Sequence, residues 1–178
     1  AGPVATTPRR PAPAVPPPKP PNPRHCRVPE LLLDMRTLYG EPLFGNRGIQ
    51  LELRAARDVP PAAIPASALK QVLLNLFRNA SEALQPGQRL VVSVLPLVNV
   101  DGQNCLEIRF VDNGPGLPPE RALHPTAALP SSKGGGHQGL GLSVVREILA
   151  QWHATLLCRT QMGTGTSFQI FVPLEQSA

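Results

Sequence analysis

No apolar run in the sequence approaches the roughly 18 residues that a membrane-spanning helix needs, and the start lacks the charged, apolar and small-residue succession of a secretory signal. Cysteine is scarce. Cys26, Cys105 and Cys158 lie far apart, match no metal-ligand spacing and, being odd in number, suggest no disulfide framework; a reducing compartment is the expectation. Aromatic residues are only 4% of the chain, too few for the stacking platforms that hold single-stranded nucleic acid. Acidic residues are missing from one stretch: residues 1–29 carry Arg9, Arg10, Lys19, Arg24 and Arg27 but no Asp or Glu, and so hold all of the net charge of +5. The other 12 basic groups and all 12 acids lie in residues 30–178, which are neutral and give no basic groove for nucleic acid.

What is present divides the chain at the same place. Eleven of the 23 prolines fall in residues 1–29. A run such as Pro16-Pro17-Pro18-Lys19-Pro20-Pro21 donates no ladder hydrogen bonds and favours extended polyproline II. Residues 1–29 therefore read as a linker or tether, with a ligand for a proline-recognising domain as the alternative, and residues 30–178 as one folded domain. A chain of 178 residues, 42% of them hydrophobic, can bury a core of that kind.

Apolar positions Leu31, Leu32, Leu33, Met35 and Leu38 predict a helix opening near Pro29, and Ile49 to Leu53 alternates as a half-buried strand. Ser67 to Leu84 predicts the clearest helix. Leu90–Val94 and Leu106–Val111 read as strands joined through the Asp101-Gly102 hairpin turn. Residues 113–141 are long and glycine-rich, the length of a functional or mobile loop. Helix returns at Leu142–Gln151, followed by strands Thr155–Arg159 and Thr166–Val172. Helices mixed with mostly antiparallel strands in hairpins predict a two-layer α/β sandwich.

Three features carry chemistry. On the helix Ser67–Leu84, Leu69, Val72, Leu73, Leu76, Ala80, Ala83 and Leu84 share an apolar side, while Gln71, Asn75, Arg78, Asn79 and Glu82 gather on the other. That polar side reads as a solvated face or, because asparagine is a mediocre helix former, as neutral oxygen ligands for a hard cation such as Mg²⁺ held with a nucleotide. Next, Asp112-Asn113-Gly114-Pro115-Gly116 ends an apolar strand. It is either a turn or a rigidly held carboxylate for a ligand amino group, with Gly114 and Gly116 admitting a flat ring to the backbone. Last, Lys133 and three glycines lead through His137-Gln138 into Gly139-Leu140-Gly141-Leu142 and a helix. This reads as a flexible linker or as an anion site at a helix N-terminus. Neither a Walker loop nor a dinucleotide-binding glycine motif occurs.

Taken together, these segments resemble the catalytic ATP-binding domain of sensor histidine kinases, in the superfamily that includes gyrase-type topoisomerases, heat-shock chaperone ATPases and mismatch-repair ATPases. Gln71 to Ala83 looks like the N box, Asp112 to Gly116 like the first glycine box, Gly139 to Leu142 like the second, and Gly163-Thr164-Gly165-Thr166-Ser167-Phe168 like the last. The resemblance spans roughly residues 30–175. It implies a Bergerat-type fold, a mixed, mostly antiparallel sheet on helices with a long lid over residues 113–141. It also implies ATP and Mg²⁺ as cofactors. Asn79 would hold the metal and Asn75 line the site; Asp112 would bind the adenine amino group, with Thr166 beside it. Gly114 and Gly116 would admit the purine. The backbone of Gln138, Gly139, Leu140 and Gly141, leading into Leu142, would hold phosphate, with Lys133 and Arg78 adding charge.

Asn75 stands where the hydrolysing branches carry a water-activating Glu, so phosphoryl transfer rather than hydrolysis is the expectation. The second glycine box departs from the family in His137-Gln138, and the lid in Leu123-His124-Pro125. None of His25, His124, His137 and His153 is followed by an acid, so none resembles the family's phosphoacceptor. The chain is expected to be an excised domain or part of a longer protein, its acceptor histidine lying on another domain of the same or another chain, with a response regulator downstream. The resemblance implies a cytoplasmic location, in some members beneath a membrane-anchored sensor, and a monomeric isolated domain. Two alternative functions are a nucleotide-binding regulatory module without kinase activity and an anti-sigma-type serine kinase.

Overall fold

The computed structural model describes residue 2, residues 24–117 and residues 138–175, with the backbone alone described over 138–141. The proline-rich stretch ahead of Arg24 (residue 2 apart), most of the expected lid and Lys133 lie outside the described residues. The elements run α1 (Val28–Leu43), a single 3₁₀ turn (Gly45–Arg47), β1 (Gln50–Ala55), α2 (Ala66–Ala83), β2 (Arg89–Val100), β3 (Gln103–Asp112), α3 (Gln138–Gln151), β4 (Thr155–Gln161) and β5 (Gly165–Pro173).

The five strands form one sheet in the order β1-β2-β3-β5-β4. β1 runs parallel to β2, because α2 is the crossover between them, and the other pairs are antiparallel. The helices cover one face. Leu69, Leu73 and Leu76 of α2, Leu32 and Met35 of α1 and Val145 and Leu149 of α3 are buried with Val92, Ile108, Phe110, Ile170 and Val172 of the sheet. The expected two-layer α/β sandwich is therefore the fold. Phe77, outside the apolar set expected for α2, is fully buried between Phe44 and Phe110, with both ring pairs 5.7 Å apart. Each such pair adds about 0.5–1.5 kcal/mol beyond its area.

Three boundaries differ from expectation. β2 and β3 run on to the Asp101-Gly102 turn, where both residues have positive φ (48° and 81°), as a two-residue hairpin requires. The expected strand stops at Val94, but the ladder continues past it with a shift of register between Leu95 and Val98, so Pro96 sits in a bulge where no N–H is needed. α3 starts at Gln138 rather than Leu142, so Gly139 and Gly141 form its first turn. Two residues of the stretch read as linker are core residues. Cys26 exchanges both backbone hydrogen bonds with Ala62 at 2.9 Å, and Val28 is fully buried. Ala62 in turn bridges to Leu174, so chain entry and exit meet at the Asn104 end of the sheet. None of the described helices is long and apolar enough to cross a membrane.

Candidate functional site

At the opposite end of the sheet one register row reads Leu90, Asp112, Thr166, Thr160 across β2, β3, β5 and β4. Directly opposed residues share a face, and this row faces the helices. Where the core would otherwise continue, the chain has three polar side chains. Asp112 Oδ1 accepts the Gly114 N–H at 3.0 Å and the Thr166 N–H at 3.2 Å. Among the described residues nothing donates to Oδ2. Burial pushes the Asp112 carboxyl above its usual range, and the two N–H donors pull it partly back.

Above this row is a pocket enclosing about 590 Å³ of space, the open solvent at its mouth included. Leu76 and Ala80 of α2, Leu90, Phe110 and Phe168 of the sheet, Leu117 and Leu142 make it apolar. Asn79, Asp112 and Thr166 are the polar groups that reach it. An apolar slot with a few convergent polar atoms suits a flat heteroaromatic ring.

The structure thus brings together Asn79, Asp112, Thr166 and Leu142. Asn75 lies one turn before Asn79 on the same helix, half-buried and away from the lining; neither amide makes a hydrogen bond among the described residues. Arg78 is exposed on α2. Gln138, Gly139, Leu140 and Gly141 are the first turn of α3, whose leading backbone N–H groups have no partner within the helix.

The two glycines of the Asp112 segment have a cause inside the protein. A Cβ on Gly114 would lie 2.9 Å from Leu84 Cδ2, and one on Gly116, whose φ is +76°, only 2.5 Å from the Gln161 carbonyl oxygen. They are small because the segment packs against α2 and the β4–β5 turn, whatever the pocket holds.

Two residues beside the site, Thr160 and Arg47, escaped the sequence reading, and a third, Gly165, was read only as part of the last glycine box. Gly165 has φ +138° and no room for a Cβ, which would stand 2.0 Å from the Asp112 carbonyl oxygen. Thr160 accepts the Leu117 N–H at 2.7 Å. Arg47 binds the Ser81 carbonyl and, through Nη1 and Nη2, Ser81 Oγ at 2.9 Å and the Leu84 carbonyl at 3.3 Å. It thereby caps the pocket-side end of α2. A glycine pair before the last strand was a signal for Gly165; for the other two, separated from their partners by 43 and 34 residues or more, there was none.

A carboxylate at a strand end, an asparagine-bearing helix above it and a helix N-terminus beside it define a class of nucleotide-binding α/β domain. Residues 65–176 match the family described as histidine kinase-, DNA gyrase B-, and HSP90-like ATPase, and the chain belongs to that family. Its relatives include the Escherichia coli sensor histidine kinase ZraS, 31% identical over 148 residues, 80% of this chain and 30% of ZraS. Sporulation kinase E of Bacillus subtilis is 28% identical over 130 residues, 73% of this chain and 17% of that protein. Among solved structures, the catalytic domain of histidine kinase ThkA shares the fold at a TM-score of 0.71 with 20% identity, over 84% of this chain and 94% of that domain. Full-length ShkA, solved in complex with AMPPNP, also superposes with a TM-score of 0.71 at 22% identity, over 86% of this chain and 31% of ShkA. The chain spans less than a third of the length of either named curated relative.

Proposed function

We propose that the chain is the ATP-binding catalytic domain of a sensor histidine kinase, binding Mg·ATP and passing the γ-phosphoryl group to a histidine on another domain of the same or another chain. The observation that carries this reading is Asp112: one carboxylate oxygen is fixed by two backbone donors and the other has no donor among the described residues in an apolar pocket. An adenine amino group supplies the donor that oxygen lacks, and the pocket walls supply a dry slot for the ring. Asn79 offers a neutral hard oxygen at the pocket, which fits a Mg²⁺ that takes most of its ligands from phosphate and water. Mg²⁺ bound with the nucleotide neutralises charge on the phosphates.

The remaining roles follow from position. The first turn of α3 offers N–H groups to phosphate, with Arg78 and Lys133 adding positive charge. Asn75 lacks the basicity to activate water, so transfer proceeds by positioning and charge neutralisation. The Pγ–O bond to ADP breaks as a P–N bond to the acceptor imidazole forms. Residues ahead of Arg24 act as a tether, the isolated chain is a monomer, and a response regulator receives the phosphoryl group afterwards.

Calorimetry with ADP and AMPPNP, with and without Mg²⁺, tests the pocket, and labelled ATP with a separate histidine-bearing acceptor domain tests transfer. Saturable binding and an acid-labile phosphoprotein are expected. Acid-stable label would point to serine phosphorylation, binding without transfer would overturn the kinase activity, and no binding at millimolar nucleotide would overturn the reading as a whole.

A further inference from the structure

Thr160 has no part in the functional reading so far, yet its hydroxyl is a junction. Oγ1 accepts the Leu117 N–H at 2.7 Å and lies 3.3 Å from the Gly165 carbonyl oxygen and 3.1 Å from Thr166 Oγ1. Leu117 and Thr166 both line the pocket, and Thr160 does not. A second tie, the Gly163 N–H to the Pro115 carbonyl at 2.8 Å, docks the same Pro115–Leu117 segment on the β4–β5 turn.

Proton arithmetic sets the polarity of this junction. A threonine hydroxyl has one proton to give and two lone pairs. The Leu117 N–H can only donate and the Gly165 carbonyl can only accept. All three contacts are satisfied when Thr160 gives its proton to Gly165 and receives those of Leu117 and Thr166. Thr166 then turns lone pairs, not a proton, toward the pocket, whose lining it shares with Asp112.

We propose that Thr160 is a positioning residue of the pocket: its hydroxyl fixes the Leu117 wall and takes up the Thr166 proton, so that Thr166 and Asp112 both present acceptors and select a base with an amino edge over one with a keto group. This rests on the reading of the pocket as a nucleotide site. Without the Thr160 hydroxyl, Thr166 can rotate its proton toward a keto oxygen and the Leu117 amide loses its acceptor.

The test compares wild type with Thr160→Val, nearly isosteric but without the hydroxyl, and with Thr160→Ser, which restores it. Affinities for ADP and inosine diphosphate are measured by competition against a fluorescent ADP, and exchange of the Leu117 amide by NMR without nucleotide. In Thr160→Val, ADP affinity should fall about tenfold, inosine diphosphate affinity distinctly less, and Leu117 should exchange at least tenfold faster; Thr160→Ser should stay within about twofold of wild type on all three. Thr160→Ala serves as a second hydroxyl-free variant should the valine fail to fold. Unchanged ADP affinity and Leu117 exchange, or equal losses for the two nucleotides, overturn the positioning role and leave the nucleotide reading intact. Wild type that binds neither nucleotide overturns that reading and this role with it.

Discussion

Asp112 and Thr166 stand opposite each other on β3 and β5, and the Thr166 amide donates to Asp112 Oδ1 over 3.2 Å. A carboxylate held this way is pinned at one oxygen and offered at the other. Asp112→Asn keeps an oxygen for the two backbone donors but loses the charge. Nucleotide affinity should fall by roughly ten- to a hundredfold, the equivalent of a charge-assisted hydrogen bond of about 1.5–3 kcal/mol. The same variant should melt at a higher temperature without ligand, because burial disfavours the ionised form. Calorimetry and a thermal melt on one preparation check both.

The pH dependence has two opposite parts. Folding raises the Asp112 pKa, so the folded chain holds that proton to a higher pH than the unfolded chain does. Its contribution to stability is present below the ordinary aspartate value, about 3.9, and is lost as pH rises through the raised value. Wild type should therefore lose stability relative to Asp112→Asn across that window. Adenosine binding should go the other way and weaken on acidification in wild type alone. Adenosine is the probe because it carries no titrating phosphate.

Asn79 sits at the pocket with its amide free of protein partners among the described residues. In Asn79→Ala, the gain in ADP affinity on adding Mg²⁺ should disappear, while metal-free binding stays within about twofold of wild type. A paired titration with Mg²⁺ and with a chelator reads the difference. Loss of both components equally would assign Asn79 to the base rather than to the metal.

Arg47 secures the end of α2 through the carbonyls of Ser81 and Leu84, and Ser81 Oγ donates onward to the Leu43 carbonyl at 2.6 Å. Arg47→Met keeps much of the stem and removes the donors. A stability loss of about 2–3 kcal/mol in urea unfolding is expected, the size of losing hydrogen bonds from a charged group to partly buried carbonyls.

Gly165→Ala places a methyl group against the Asp112 carbonyl in a backbone conformation that alanine rarely adopts. At least about 1–3 kcal/mol of stability should be lost, along with nucleotide affinity, because the β3–β5 register beside Asp112 must shift. Circular dichroism melts with ADP binding would show both.

Parts of this architecture were readable where one segment's own period decides its surroundings. Asn75, Arg78 and Asn79 fell on the polar side of α2 because a helix sorts its faces every 3.6 residues, and Asp101-Gly102 marked its turn because both residues tolerate positive φ. What stayed hidden depends on distant chain. Cys26 follows eleven residues that include six prolines, and only its pairing with Ala62 makes it core. Phe77 is buried because Phe44 and Phe110 arrive from other elements. The reading of Gly114 and Gly116 as room for a ligand missed a nearer cause, the Leu84 side chain and the Gln161 carbonyl, and neither glycine lines the pocket.

The Cys26–Ala62–Leu174 ladder also settles how the domain can be handled. From Asn104, where Leu174 docks, to Asp112 at the pocket floor is eight residues of β3, about 26 Å at the rise of an extended strand. An anchor or fluorophore attached next to Arg24 or Glu175 therefore sits at the far pole from the pocket. A domain immobilised on a sensor chip through a site next to Arg24 or Glu175 would hold its pocket on the side away from the surface, and a dye placed there would stand clear of the bound ligand.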